Sequence, residues 1–271
     1  MSTEQEYVLL EKAASLWHKA HFPIAFTGAG ISVPSGIPDF RSPGGLWSKY
    51  DPFEVASGHA LKTNPEKVWQ FLLETSDILD KAHPNQAHLA LAELEQNRRL
   101  MGIITQNIDN LHQRAGSKYV IEYHGNFQRF YCQSCFQEIP LHIIQQFTQD
   151  DIPPYCERCG GLIRPDVVFF EESIPELAQN AAWDLVYKAD CVLIAGTSGE
   201  VAPANILPRI IKENNGTLIE INLRPSSYGD ITDVLLQSSI DVILPVLAEK
   251  ILASSSQDQI SCSRQGDPNP S

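Results

Sequence analysis

Four cysteines fall into two matched pairs, Cys132-x-x-Cys135 and Cys156-x-x-Cys159, with 20 residues between them. Two residues between thiols let a tight turn aim both at one ion, and two such knuckles complete a tetrahedron. Gly160 and Gly161 after the second pair supply the backbone freedom a knuckle needs. Four thiolates leave no open coordination position, so a zinc ion here braces the fold and does no chemistry. A redox dithiol is the rival explanation, and two pairs at zinc-ribbon spacing argue against it. The remaining cysteines show no such pattern: Cys191 begins an apolar run and Cys262 lies in a polar C-terminal stretch.

A glycine loop is the second feature that could do chemistry. The apolar run Pro23-Ile24-Ala25-Phe26-Thr27 stops at Gly28-Ala29-Gly30-Ile31-Ser32, as a strand does on entering a nucleotide-binding crossover. Position 33 is Val where the standard fingerprint has a third glycine, and no acid closes a second strand about 20 residues on. The fragment alone therefore leaves an ordinary turn as its competitor. Next comes Ser35-Gly36-Ile37-Pro38-Asp39-Phe40-Arg41, too rich in Pro and Gly for regular structure and more like a lid than a linker. Among eight histidines, most of which belong on a surface or in a satisfied core, His124 differs by context. It ends Ile121-Glu122-Tyr123, a short strand followed by a turn, just before the first cysteine pair.

The elements that must position these groups alternate. An opening helix spans about Glu4 to Ala20, and further helical patterns cover His83–Asn97, Ile174–Lys188 and Ala204–Asn214. Between them lie apolar runs at Leu100–Thr105, Cys191–Ala195 and Thr217–Ile221. They end at Gln106-Asn107, Gly196-Thr197-Ser198 and Asn222. Small or amide residues at the carboxyl ends of parallel strands are where an open α/β sheet presents a ligand site. The expected fold is α/β, a Rossmann-like doubly wound parallel sheet with a smaller inserted domain. Residues 1–45, 83–129 and 164–252 form the sheet domain; a helical module (46–82) and a zinc ribbon (130–163) form the small one. Residues 253–271 lack apolar periodicity and read as a disordered tail.

Composition bounds the remaining classes. The chain has 271 residues, 33 acidic and 20 basic, a formal net charge of −13. That balance disfavours nucleic-acid backbones and suits lysine-rich polypeptides, although solubility alone explains it as well. No signal-peptide pattern opens the chain, and no apolar stretch reaches the ~20 residues that span a bilayer. Paired cysteines that favour metal over disulfide fit a reducing, cytoplasmic location. No repeat is visible, and nothing in the pattern fixes an oligomeric state.

The segment GAGISVPSGIPDFRSPGGLW resembles the signature of the sirtuin family. The likeness recurs in order in TQNIDNLHQRAG, EYHGNF, the two CxxC pairs, RPDVVFFEE, GTSGEVAPA and INL, over roughly Glu4 to Ile251. The resemblance implies an NAD-dependent protein-lysine deacylase that takes acyl-lysine proteins or peptides and carries one structural zinc. It further implies that Gly28, Ala29 and Gly30 approach the NAD diphosphate beside a helix N-terminus, with Ser32 a further cofactor-binding residue. Asp39, Phe40 and Arg41 would sit on a flexible loop, with Phe40 over the nicotinamide ribose. Gln106, Asn107 and Asp109 would line the nicotinamide pocket. Gly196, Thr197 and Ser198 would lie near the phosphates and adenosine, and Asn222 and Leu223 beside the adenine ribose, with Ile240 a further cofactor-binding residue. His124 is the implied base, with Asn107 and Asp109 assisting. The acyl oxygen attacks the anomeric carbon, nicotinamide leaves, and His124 activates a ribose hydroxyl that captures the acyl carbon. Water then yields free lysine and O-acyl-ADP-ribose. Val167, Val168, Phe169 and Phe170, otherwise a plain core strand, would offer the peptide an edge and the acyl chain a tunnel.

Three departures stand out. Glu171 occupies the family's usual Gly, Gly199-Glu200 replaces bulkier apolar residues, and Leu72 and Thr75 stand where relatives selective for acidic acyl groups carry Tyr and Arg. A neutral pocket for acetyl or longer apolar chains follows. The rivals are an NAD glycohydrolase or ADP-ribosyltransferase on the same fold, and a zinc-ribbon module that only binds.

Overall fold

Apolar strands that are covered on both faces need helices on each side of the sheet, and the chain builds that arrangement. The structure, a computed structural model, describes residues 3–39 and 45–262. In chain order the strands are β1 (Pro23–Thr27), β2 (Ile103–Thr105), β3 (Val120–Glu122), β4 (Gly125–Cys132), β5 (Glu138–Ile139), β6 (Ile163–Val167), β7 (Cys191–Ala195), β8 (Thr217–Ile221) and β9 (Val234–Leu236). The helices are α1 (Thr3–Lys19), α2 (Pro52–Val55), α3 (Gly58–Thr63), α4 (Pro65–Lys81), α5 (Gln86–Gln96), α6 (Leu111–Ala115), α7 (Leu141–Ile144), α8 (Glu176–Lys188), α9 (Ile206–Glu213) and α10 (Ile240–Cys262).

Six strands form one parallel sheet in the order β3-β2-β1-β7-β8-β9. Alternate side chains feed two cores. Ala25, Leu193 and Ile219 pack under α1, α5 and α10, while Ile24, Phe26, Val192 and Leu218 pack under α8 and α9. The strand order reverses between β1 and β7, so their carboxyl ends frame the crevice of a doubly wound sheet.

The small domain has a sheet of its own, ordered β5-β4-β6 and antiparallel. Val68, Trp69 and Leu72 of α4 share one core with Phe127, Phe130 and Ile163 of that sheet. The Trp69 indole N–H donates to the Ile163 carbonyl at 3.0 Å. Helical module and ribbon are therefore one packed unit. The sequence boundaries at 129/130 and 163/164 fall inside β4 and β6, because both strands run on from the sheet domain without a break.

The tail expectation needs correction. α10 continues to Cys262, since Ser254–Cys262 contains neither Gly nor Pro and the helix propagates from its buried turns; residues 263–271 lie outside the described ones. Among the described residues no helix is long and apolar enough to cross a membrane.

Candidate active site

The floor of the crevice is a close crossing of two loops. The Gly28 N–H donates to the Ala195 carbonyl at 3.1 Å, and the Gly30 N–H to the Gly196 carbonyl at 2.7 Å. Gly196 has φ +67, and a Cβ there would meet the Ile31 nitrogen at 2.2 Å; one on Gly30 would meet the Gly196 Cα at 2.7 Å. Only glycines allow this approach, which leaves no side chain at the crossing of the two loops. The expected helix N-terminus is absent. After β1 the chain makes two three-residue 3₁₀ turns, Ala29–Ile31 and Val33–Ser35, because Pro34 removes a donor and Gly36 turns left-handed at φ +88.

Opposite that floor, a buried polar network holds the strand-end residues. The Asn107 side-chain amide donates to the Gly28 carbonyl and to the Ser32 hydroxyl, each at 3.1 Å. Ser32 in turn donates to Asp109 at 2.7 Å, and the other Asp109 oxygen accepts the Leu111 N–H at 2.9 Å. Burial pushes the Asp109 carboxyl up, with Ser32 and backbone N–H groups opposing it. The Gln106 amide donates to the Thr197 hydroxyl at 3.0 Å, and Asn222 donates to the Thr197 carbonyl at 3.0 Å. Gln106, Asn107, Asp109, Ser32, Gly28, Gly30, Gly196, Thr197 and Asn222 thus belong to one connected constellation.

His124 stands where the chain leaves the large sheet for the small one. Tyr123 still donates to the Thr105 carbonyl, and Gly125 already pairs with Val167. Gly125 has φ +83 and would drive a Cβ to 2.0 Å from the Asp166 carbonyl oxygen, so this passage requires glycine. The His124 Nδ1 lies 3.1 Å from the Gln106 carbonyl oxygen, an acceptor only. Nδ1 therefore carries the proton and Nε2 keeps its lone pair. Burial holds the imidazole below its ordinary value, with the Gln106 carbonyl working weakly the other way. A neutral base with a fixed tautomer results.

The Val167–Phe170 stretch is tied to this histidine: the Val168 N–H donates to the His124 carbonyl at 2.9 Å. Only Val167 lies within β6. Phe169 is buried in the small-domain core, and the Phe170 backbone exchanges bonds with Ala56 and Gly58 across a parallel bridge. The bidentate ion pair of Arg164 with Glu172, at 2.6 and 2.7 Å, fixes the stretch. Arg164 also donates to the Val167 carbonyl and Glu172 accepts the Phe169 N–H. Glu171, exposed, takes the left-handed conformation at φ +71 that its glycine counterpart adopts freely.

The other expected residues separate. Ser198 and Leu223 are exposed at the rim, and Ala29 and Asp39 are half-buried. Ile240 opens α10 with its side chain in the core, which leaves its backbone alone to face a ligand. Phe40 and Arg41 lie outside the described residues.

The four cysteine sulfurs lie within 4.8 Å of one another, with Cys132–Cys159 at 3.4 Å and Cys135–Cys156 at 3.8 Å. A tetrahedron with Zn–S bonds of about 2.3 Å has edges of about 3.8 Å, so the quartet fits zinc. These separations are far beyond a disulfide's ~2.05 Å.

Several residues that matter here escaped the sequence reading. Glu220, fully buried in β8, accepts from Asn222, Ser226 and Thr232 and so orients Asn222. Its signal was a lone acid inside an apolar run. Arg164 and Glu172 flank the VVFF motif with no spacing rule to pair them.

Comparison with known proteins agrees with this geometry. The Sir2 family model matches residues 28–203. An NAD-dependent protein deacetylase of Caldivirga maquilingensis is 45% identical over 241 residues, covering 89% of this chain and 93% of that protein. A Sir2 homologue solved as its NAD complex superposes with a TM-score of 0.84 at 38% identity, covering 90% of this chain and 94% of that one. A Sir2 variant solved with a deacetylated peptide and 3′-O-acetyl ADP-ribose gives a TM-score of 0.82 at 35% identity, covering 90% and 98%. A family match that begins at Gly28, the first residue of the crevice floor, and runs through His124 and all four cysteines leaves one conclusion: the chain belongs to the Sir2 family.

Proposed function

We infer that this chain is an NAD-dependent protein-lysine deacylase. One observation carries the inference: a neutral histidine with a free Nε2 sits between a dinucleotide crevice and a strand edge suited to a peptide. Relatives named deacetylases and a neighbour holding an O-acetyl ADP-ribose product support it.

When bound, NAD would supply an electrophilic anomeric carbon with nicotinamide as its leaving group. The chain's residues do the rest. The crossing of Gly28, Gly30 and Gly196 keeps side chains out of the way of the diphosphate, and Thr197 with Asn222 borders the adenosine side. Asn107, Ser32 and Asp109 form a rigid wall for the nicotinamide end. His124 Nε2 removes the ribose hydroxyl proton, and the Gln106 carbonyl keeps the imidazole in the tautomer that can do so. Cys132, Cys135, Cys156 and Cys159 hold zinc as a brace, on the far side of β4 from His124 in sequence.

The acyl pocket is neutral. Leu72 is buried in the small-domain core, and the Thr75 hydroxyl donates back to the Phe71 carbonyl at 2.8 Å, so neither position offers a cation. Acetyl and longer apolar groups are the preferred substrates. Four ribbon cysteines arranged for a metal rather than joined as disulfides suit a reducing, cytoplasmic setting.

The deciding experiment incubates the protein with an acetyl-lysine peptide, with and without NAD, and identifies every product by mass. Free lysine peptide, nicotinamide and O-acetyl-ADP-ribose in equal amounts are expected. ADP-ribose formed without loss of acetyl would make the protein a glycohydrolase or transferase instead.

A further inference from the structure

Two buried histidines outside the reaction centre are wired to both walls of the dinucleotide pocket. His88 and His112 are 0% and 1% exposed, with ring centroids 4.9 Å apart in an edge-on arrangement. The His88 Nδ1 accepts the Asn85 backbone N–H within the cap of α5, so the proton of a neutral His88 is on Nε2. On His112, Nε2 lies 2.9 Å from the Thr27 hydroxyl. That hydroxyl donates onward to Thr105 Oγ1 at 2.9 Å, so it accepts from His112, whose Nδ1 is left bare.

The atoms left over are complementary. The His88 Nε2–H is a donor and the His112 Nδ1 an acceptor; both are buried and meet no partner among the described residues, and the same holds for the nearby Ser117 hydroxyl. An unpaired buried polar group costs about 1–3 kcal/mol, and an internal water commonly satisfies such an atom. Burial holds both rings below their ordinary values, which keeps them uncharged.

The chain's two ends are functional. At one, Asn85 donates to the Ile31 carbonyl at 2.8 Å and to the Ser35 hydroxyl at 2.9 Å, fixing the turn that carries Ser32. At the other, Thr105 Oγ1 accepts the Asn107 backbone N–H at 3.1 Å. Ser32 and Asn107 are bonded to each other across the pocket.

We propose that His88 and His112, in edge-on ring contact, are positioning residues that lock the Ser32 turn and the Asn107 strand end into the NAD-binding geometry. The proposal rests on the NAD-dependent reading above, and its tests separate the two. In the full chain at pH 7, long-range ¹H–¹⁵N correlation should show both rings in the Nε2–H tautomer; a charged ring or an Nδ1–H His112 would overturn the wiring, whatever the activity. NAD titration of His112→Ala should weaken binding about tenfold, the loss of one or two buried hydrogen bonds, with the peptide KM within about twofold. His112→Gln, whose amide can still donate to Thr27, should recover most of that loss. Unchanged NAD affinity in His112→Ala, or a Gln variant as impaired as Ala, would refute the positioning role. If His112→Ala does not fold, the tautomers and the Gln variant decide. A wild-type protein that bound no NAD while showing the stated tautomers would sink the functional reading and not the wiring.

Discussion

Replacing Gly196 by Ala probes the loop crossing on which the whole crevice depends. The new Cβ would lie 2.2 Å from the Ile31 nitrogen and 2.6 Å from the Gly30 carbonyl carbon, both backbone atoms that cannot rotate away. The loops must part by more than 1 Å to reach an ordinary contact of about 3.4 Å. Separation breaks the 2.7 Å bond from Gly30 to the Gly196 carbonyl, a loss of about 1–3 kcal/mol where the groups stay buried. A φ of +67 adds about 1 kcal/mol for any residue with a Cβ. Together these come to about 2–4 kcal/mol, which lowers the Tm by roughly 5–15 °C in a domain of this size. The same movement distorts the crossing proposed to receive the diphosphate, so NAD affinity should fall at least about tenfold. Thermal denaturation followed by NAD titration measures both. A variant that melts and binds like the wild type would refute the claim that the crossing is sterically fixed.

Four further outcomes follow from the structure. Burial lowers His88 to about 4 from an ordinary 6.5, so the unfolded chain binds the extra proton and the stabilisation, complete above 6.5, is lost as pH falls toward 4. His88 alone should cost about 2 kcal/mol between pH 7 and pH 5, read by denaturant titration, and His88→Gln should flatten that slope. Arg164→Met strands the Glu172 carboxylate and should destabilise the small domain by about 3 kcal/mol. It should also raise the peptide KM while the NAD Kd holds; equal effects on both ligands would argue against a role for the pair in setting the peptide edge. Stripping zinc with a chelator should expose the amides of β4 and β6 to hydrogen exchange while β1 and β7 stay protected; uniform protection would contradict a bracing role. In one peptide series, deacetylation should outpace desuccinylation at least about tenfold, since neither Leu72 nor Thr75 can pair a carboxylate; faster desuccinylation would overturn the neutral pocket.

What the sequence reveals depends on whether a local rule sets the feature. Strands β1, β7 and β8 coincide with the runs Pro23–Thr27, Cys191–Ala195 and Thr217–Ile221, because continuous burial leaves an unbroken apolar signature. Strand β9 escapes notice: Val234–Leu236 is three residues long, follows Asp233, and pairs only along one edge. The cysteine quartet is legible because its spacing is the geometry. The helix expected after Gly30 fails at Pro34 and Gly36, signals that were present and outweighed by the resemblance to a nucleotide turn. His88 and His112 are invisible to any spacing rule. They meet through the packing of α5 on α6, and their meaning resides in hydrogen-bond directions that only a fold can supply.

His124→Ala tests the account most directly, with two readouts on one preparation. Labelled nicotinamide should still exchange into NAD in the presence of acetyl peptide, because bond cleavage precedes the histidine's step. Formation of O-acetyl-ADP-ribose should drop by about 10²–10⁴. Product formed at the wild-type rate would show that another group takes the ribose proton, and the assignment of His124 as the base would be wrong.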